Sequence, residues 1–272
     1  MEAYTLKNKV VLITGSSQGI GKATALCFGA QGACIMLNGR NKEKLIKAEK
    51  ELRLKGLNVD SFCADITNLD NAKKLIDKTI NSFGKLDILV NNAGVSMRGK
   101  FSNLNSDVFK RVFDINVFAS VNLSKLALPY LRNSKGSLVF VSSVAGIRGL
   151  PSNSAYCSSK MALRAVAESI RIEEAKSNIH VGLVYVGITE IEKGKTTISE
   201  NGSLIELEDR SKYRVHSKGH VASRILENIR KRKFITTLTW LGKLNFFMQK
   251  FTPILSERIL IWANRKVQAR SL

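Results

Sequence analysis

Three prolines in 272 residues are too few for a chain of linker-joined modules. Cysteine is also sparse, and Cys27, Cys34, Cys63 and Cys157 make no C-x-x-C pair and no metal-ligand spacing. That argues against a disulfide-stapled secreted domain and against a metal site. It fits reduced core thiols in a cytosol-like compartment. No apolar run reaches the ~18 residues of a membrane span. Residues 1–9 are polar and mixed, and the first apolar run, VVLIT, is too short for the core of a signal peptide. A cytoplasmic protein is expected on these grounds. Carboxylates are scarce, 22 Asp and Glu against 43 Lys and Arg, which leaves a formal charge of +21. Such an excess suits a nucleic acid, an anionic membrane surface, an acidic protein or simply a solvated basic face.

What is present is ordinary globular composition, 44% hydrophobic and 24% charged, which excludes a disordered or collagen-like chain. The length suits one large domain or two small ones. Short β-rich runs alternate with longer amphipathic stretches. Strands are predicted at Lys9–Thr14, Cys34–Asn38, Val59–Ala64, Ile88–Asn91, Ser137–Ser142 and His180–Val186. Helices are predicted at Ile20–Gln31, Lys42–Lys55, Leu69–Phe83, Ser106–Leu131 and Ser154–Lys176. The strand runs are apolar without alternation, as in parallel strands buried on both faces. Helices between them imply βαβ crossovers, hence an α/β fold with a doubly covered parallel sheet. Gly187–Val215 is polar, charged and without period, and reads as a lid loop. Phe234–Leu238 reads as the last strand.

The first strand runs into Thr14-Gly15-Ser16-Ser17-Gln18-Gly19-Ile20-Gly21 and then a helix. Glycines between the first strand and first helix of an α/β sheet form a phosphate cradle, because backbone N–H groups face the anion and a Cβ would block its approach. The spacing is not G-x-G-x-x-G, and a tight strand–helix turn needs glycine in any case. The position, in the first βα turn, favours the cradle. At the end of the second strand an acid would bind the ribose hydroxyls of NAD and an arginine the 2′-phosphate of NADP. The sequence there is Asn38-Gly39-Arg40-Asn41-Lys42, with Arg40 and no carboxylate, so NADP(H) is expected.

Tyr156 and Lys160 lie four residues apart near the start of a predicted helix, on one face. An ammonium beside a phenol stabilises the phenolate, and a tyrosine so placed exchanges a proton with a carbonyl or alcohol oxygen. Ser143 ends a predicted strand at the sheet edge where parallel sheets bind ligands.

In this order and spacing, Thr14-Gly15-x-x-x-Gly19-x-Gly21, Asn91-Asn92-Ala93-Gly94, Asn116, Ser143 and Tyr156-x-x-x-Lys160 resemble the short-chain dehydrogenases/reductases, over roughly residues 7–235. The resemblance implies a single-domain Rossmann fold whose doubly wound parallel sheet has about seven strands. It implies Tyr156 as general acid in reduction, Lys160 as the residue that lowers its pKa and binds the nicotinamide ribose, and Ser143 as the group that orients the carbonyl. Asn116 would hold a water that relays protons to Lys160. Gly15, Ser17, Gln18, Gly19, Ile20 and Gly21 would hold the phosphates. Asn92, Ala93 and Gly94 would lie beside the adenosine ribose, with Asp65 and Ile66 at the adenine. After the sixth strand the family's Pro-Gly is Val186-Gly187 here. The family threonine four residues beyond that glycine is Ile191, with Thr189 as its substitute beside Gly187.

Beyond the domain expected at 1–239, residues 240–272 form an apolar and basic extension. Trp240, Leu241, Leu244, Phe246, Phe247, Phe251, Ile254, Ile259 and Trp262 interleave there with Lys243, Lys250, Arg258, Arg265, Lys266 and Arg270, and Pro253 is expected to divide two helices. Two readings stay open: contact with an anionic membrane surface, or a wall of the substrate pocket or a subunit contact. Tail and lid favour a bulky hydrophobic carbonyl, such as a long-chain keto lipid, a steroid-like ketone or a retinoid. A 3-oxoacyl-carrier-protein reductase is the alternative, since a basic surface suits an acidic carrier. An alcohol dehydrogenase working in the oxidative direction is a third reading. No helix-turn-helix, zinc spacing or aromatic-basic RNA motif supports a nucleic-acid partner. The family often pairs its two long helices, so a homodimer or homotetramer is expected.

Overall fold

The computed structural model describes residues 5–192, 194–207 and 215–269. Its main sheet consists of β1 (Val10–Ile13), β2 (Cys34–Gly39), β3 (Val59–Cys63), β4 (Ile88–Asn91), β6 (Ser137–Ser143), β7 (His180–Val186) and β10 (Ile235–Thr237). The strand order is β10-β7-β6-β4-β1-β2-β3, parallel throughout. The chain therefore winds outward from β1 to β3, returns across β1 to β4, and winds outward again. The reversal lies between β1 and β4, where open α/β sheets bind their ligands.

Burial on both faces explains the unbroken apolar strands. Val11, Ile13, Ile35, Leu37, Val139 and Val184 face one layer, with α1 (Gly19–Gly29), α2 (Lys42–Arg53) and α7 (Lys218–Arg230) packed on it. Leu12, Met36, Leu89, Leu138, Phe140 and Leu183 face the other layer, covered by α3 (Leu69–Phe83), α5 (Ala119–Ser134) and α6 (Ser154–Glu173). Adjacent residues point to opposite faces, so the central strands are apolar at nearly every position, whereas the edge strand β3, Val-Asp-Ser-Phe-Cys, is only partly buried and carries polar residues. Asn41, Asn68 and Ser217 cap α2, α3 and α7 by accepting backbone N–H groups of the first turn.

Three expectations change. The helix predicted over Ser106–Leu131 is α4 (Ser106–Phe113), a π-helical turn (Asp114–Phe118) and α5. A π turn adds one residue without breaking the helical run, and π turns often sit at functional sites. Sequence periodicity does not register that insertion. The helix predicted to Lys176 ends at Glu173, and a 3-10 turn, Ala175–Ser177, follows.

The expected lid is not structureless. It contains β8 (Thr196–Ser199) and β9 (Leu204–Glu206), which form a small second sheet with β5 (Met97–Arg98). Ile198 packs there with Met97, Val108 and Val112. So short a strand is fixed by its distant partner rather than by its own composition. The parts of the lid at 193 and 208–214 lie outside the described residues, as does Arg270.

The tail forms α8 (Trp240–Phe251) and α9 (Pro253–Ala269), with Pro253 at the first helical position. Gly242 and Phe246 face inward. Phe246 meets Tyr185 at 6.1 Å between ring centroids and has the Arg164 guanidinium 5.2 Å from its ring.

Candidate active site

The turn after β1 is fixed by backbone geometry that glycine alone supplies without strain. Gly15 and Gly19 have φ of +62° and +63°. Gly21 is a glycine for a different reason: a Cβ there would lie 2.4 Å from the Gly15 carbonyl oxygen and 2.6 Å from Asn92 Nδ2. The buried Ser16 hydroxyl donates to the Ile13 carbonyl at 2.7 Å and accepts the Asn38 N–H at 2.9 Å, which ties the turn to β2. From β4, Asn92 Nδ2 donates to the Thr14 carbonyl at 2.9 Å, and Thr14 Oγ1 accepts the N–H groups of Asn92 and Ala93.

The turn forms one end of a cleft of about 570 Å³ along the C-terminal edge of the sheet. Gly15, Ser17, Gln18, Gly19 and Ile20 line it there, with Arg40, Asp65 and Ile66 beyond them. Asn92, Ala93 and Gly94 form its floor, and Ser143, Tyr156, Lys160, Gly187 and Thr189 line the far end. The structure thus brings together nearly every residue singled out from the sequence. Gly21 and Asn116 are not on the wall. Gly21 sits beneath the turn, and Asn116 is fully buried behind Gly94.

Lys160, one helical turn after Tyr156 on α6, reaches the cleft from below. It is 5% exposed, and its Nζ donates to the Val141 carbonyl at 3.0 Å. Burial pulls its pKa down to about 8. Tyr156 is half-buried in the first turn of the same helix. Ser143, the last residue of β6, accepts the Ala145 N–H on its hydroxyl at 3.2 Å.

Asn116 lies in the π-helical turn. Its Oδ1 accepts the Val95 N–H at 2.8 Å, and its Nδ2 donates to the Val95 carbonyl at 3.0 Å and to Ser159 Oγ at 2.9 Å. A Cβ on Gly94 would lie 3.0 Å from Asn116 Oδ1 and 3.2 Å from Lys160 Nζ, so the two groups border one small space.

At the other end, Arg40 Nη1 lies 3.4 Å from Asp65 Oδ2, both side chains half-exposed. Burial works against the ionised Asp65. The Thr67 N–H and hydroxyl, with Arg40, outweigh it and hold the carboxyl below its usual range. Lys44, in the first turn of α2, also lines this end.

Further charged residues line the cleft without a sequence signal, Glu190, Glu192 and Lys195 among them, and Lys218 stands beside it. Glu192 accepts the Gly19 N–H at 2.9 Å, and Lys218 Nζ pairs with the same carboxylate at 2.9 Å. Their separation along the chain hides them. The cleft suits an elongated dinucleotide, with the glycine turn and the Gly19 N–H at one end and the Arg40 and Lys44 side chains beyond them. Among the described residues no His, Cys, Asp and Glu cluster could hold a metal ion.

The tail packs beside the far end of the cleft. A Cβ on Gly187 would lie 2.5 Å from Thr239 Cγ2, and Gly242 is similarly close to Val144. Arg148 donates to Ser256 on α9. Among the described residues, none of α8 or α9 lines the cleft itself.

Residues 9–201 match the sequence pattern of a family described as short chain dehydrogenase. The chain is 37% identical over 263 residues to 11-beta-hydroxysteroid dehydrogenase 1A of Arabidopsis thaliana, covering 93% of this chain and 74% of that protein. It is 34% identical over 186 residues to a 3-oxoacyl-acyl-carrier-protein reductase of Thermotoga maritima, covering 68% of this chain and 76% of that one. A short chain dehydrogenase/reductase of Burkholderia phymatum, solved in complex with NAD, superposes with a TM-score of 0.82 at 20% identity, over 93% of this chain and 96% of that one. That likeness shows the fold.

Proposed function

The chain belongs to the short-chain dehydrogenase/reductase family of oxidoreductases, which act on CH–OH and C=O groups with a nicotinamide cofactor, and from that premise we propose that it is an NADPH-dependent reductase of a bulky hydrophobic carbonyl. The observation that carries this reading is the meeting of Ser143, Tyr156 and the buried Lys160 at one end of a cleft whose other end is the glycine cradle.

A nicotinamide cofactor, held by these residues, would supply the hydride. The chain's own residues manage the charge that builds on the substrate oxygen. Tyr156 donates its phenolic proton to that oxygen. Ser143 accepts the Ala145 N–H on its oxygen, which leaves its O–H to donate to the same substrate atom. Two donors on a developing oxyanion in a half-buried cleft lower the barrier more than they would in water. Lys160, cationic below pH 8, favours the ionised form of Tyr156 after the proton has left. Asn116 holds Val95 and so positions Gly94 beside Lys160. In this reading a water near Asn116 returns protons toward Lys160.

NADPH over NADH is supported by Arg40 and Lys44 at the adenosine end and by the absence of a carboxylate at the end of β2. Arg40 would exchange Asp65 for the 2′-phosphate. A hydrophobic substrate is supported by the tail beside the far end of the cleft. The steroid dehydrogenase match spans 93% of the chain and must include part of that tail. The carrier-protein reductase match spans 68%, which weakens that alternative.

An anionic membrane surface is the partner we propose for the outer face of α8 and α9, treating 240–272 as an extension on a 1–239 catalytic unit. Exposed Phe118 and Met161 on the helical layer support pairing of two copies there.

The test is NADPH oxidation across long-chain, steroid and retinoid carbonyls and a 3-oxoacyl thioester, with NADH in parallel. Turnover of a long-chain or polycyclic ketone, abolished in Tyr156→Phe with NADPH binding retained, is the expected result. Turnover of the thioester alone would move the protein to the carrier-protein reaction.

A further inference from the structure

Residues 188–192 leave β7 and pass in front of the glycine turn, and α7 fixes their course. The Glu190 N–H donates to the His216 carbonyl at 3.0 Å, and the His216 N–H donates to the Ile188 carbonyl at 3.0 Å. Glu190 Oε1 accepts the Lys218 backbone N–H at 2.7 Å. This strip carries Glu192 to the start of α1, where its Oε1 accepts the Gly19 N–H and pairs with Lys218 Nζ, each at 2.9 Å.

α1 has no acidic residue in its first turn, and its N-cap Gln18 makes no side-chain cap bond. The anion on the Gly19 N–H therefore comes from 173 residues away. Burial disfavours the ionised carboxyl of Glu192. Lys218 and the Gly19 N–H more than offset that, so the group sits below its usual range as a settled anion. The N-terminus of this helix, after the glycine turn, is also where a dinucleotide's diphosphate is held.

We propose that Glu192 competes with the dinucleotide's diphosphate for the Gly19 N–H, and that Lys218 is the cation that receives the diphosphate once Glu192 turns away. This rests on the reading of the cleft as a dinucleotide site. Carboxylate and diphosphate cannot share one N–H, because like charges at contact distance repel strongly in a half-buried site. Lys218 keeps its place without Glu192. Its backbone is held in the first turn of α7, capped by Ser217, and by Glu190. Apparent affinity then scales with the fraction of molecules in which Glu192 has left. Because Thr189 and Gly187 begin the same strip and line the reacting end, departure of Glu192 couples phosphate binding to the loop beside the substrate.

The test uses the full chain and three probes titrated at equilibrium: NADPH by nicotinamide fluorescence, inorganic pyrophosphate, and adenosine 2′-phosphate, which lacks the diphosphate. Glu192→Gln should tighten NADPH and pyrophosphate by about tenfold and leave adenosine 2′-phosphate unchanged. Lys218→Met should weaken NADPH by about tenfold in the Glu192→Gln background and by less in the presence of Glu192, because there the substitution also loosens the carboxylate that competes with the diphosphate. Unchanged or weaker NADPH binding in Glu192→Gln overturns the competition. Loss of the Lys218→Met effect in the Glu192→Gln background would reduce Lys218 to a support for the loop and overturn its part. Equal shifts for adenosine 2′-phosphate would mean a general change of the cleft and count against both. A wild type that binds neither NADPH nor NADH fails the dinucleotide reading itself, and that result is distinct from the others.

Discussion

Lys160 holds an ammonium at a site 5% exposed, with its Nζ on the Val141 carbonyl. Burial disfavours the charged form, so the proton that an ordinary lysine keeps to about pH 10.4 is lost near pH 8. In the proposed mechanism, the cation that stabilises the Tyr156 phenolate is present below pH 8 and fades above it. kcat/KM for carbonyl reduction should therefore fall with a slope approaching tenfold per pH unit above about 8. Lys160→Arg does not titrate in this range and should lack that limb at whatever rate it retains. An unchanged limb in the variant would assign it to another group.

His180 gives the opposite kind of pH dependence. Its Nε2 meets the Lys233 carbonyl at 2.9 Å, its Nδ1 is buried without a partner, and burial lowers its pKa to about 4. The unfolded chain takes up this proton near pH 6.5 and the folded chain only near 4. Stability is fully present above 6.5 and is lost as pH falls through that window, by about 3 kcal/mol at pH 4. Urea midpoints at pH 7 and pH 5 should diverge more in the wild type than in His180→Gln.

At the scale of elements, the β1–α1 turn tolerates little substitution. Gly21→Ala sets a methyl group 2.4 Å from a backbone oxygen that the Thr14 and Asn92 bonds hold in place. The variant should lose about 1–3 kcal/mol and most of its dinucleotide affinity. Gly219→Ala, in the first turn of α7 with open space around it, should gain about 0.5–1 kcal/mol, since alanine loses less backbone freedom. Thermal melts of the pair separate contact from propensity. If Gly21→Ala melts like the wild type, the turn must shift without loss, and the cradle is not shaped as described. In the π-helical turn the extra residue sets Asn116 against Val95 and Ser159.

At the scale of the whole molecule, α8 and α9 present Trp240, Leu241, Phe247, Phe251, Ile254 and Trp262 to the outside. Lys266 lies 3.8 Å from the Trp262 ring centroid and Lys250 5.3 Å from that of Phe251. Apolar surface of this extent on a chain of charge +21 marks an interaction site. Among the described residues no helix is long and apolar enough to cross a membrane. The full chain should sediment with phosphatidylserine-containing vesicles and less so at high salt. Phe251→Glu with Trp262→Glu should release it while leaving Phe246 seated on Tyr185. A wild type that stays in the supernatant would count against membrane contact and favour a subunit role for this face.

The sequence alone determined the layered α/β architecture, because a strand buried on both faces must be apolar at every position, as Val10–Ile13 and Val139–Val141 are. It also singled out the glycine turn, Arg40 and the Ser143, Tyr156 and Lys160 set, which line one cleft, because each lies in a short run with a recognisable spacing. Tertiary structure decided what depends on contacts between distant segments. The β5–β8–β9 sheet exists because Met97 meets Ile198. Asn116 serves Val95 because a π turn rotates it there, and the tail flanks the cleft without lining it. Glu192 and Lys218 converge on Gly19 only because β7 ends and α7 begins at the same edge of the sheet, and no local pattern in the chain records that meeting.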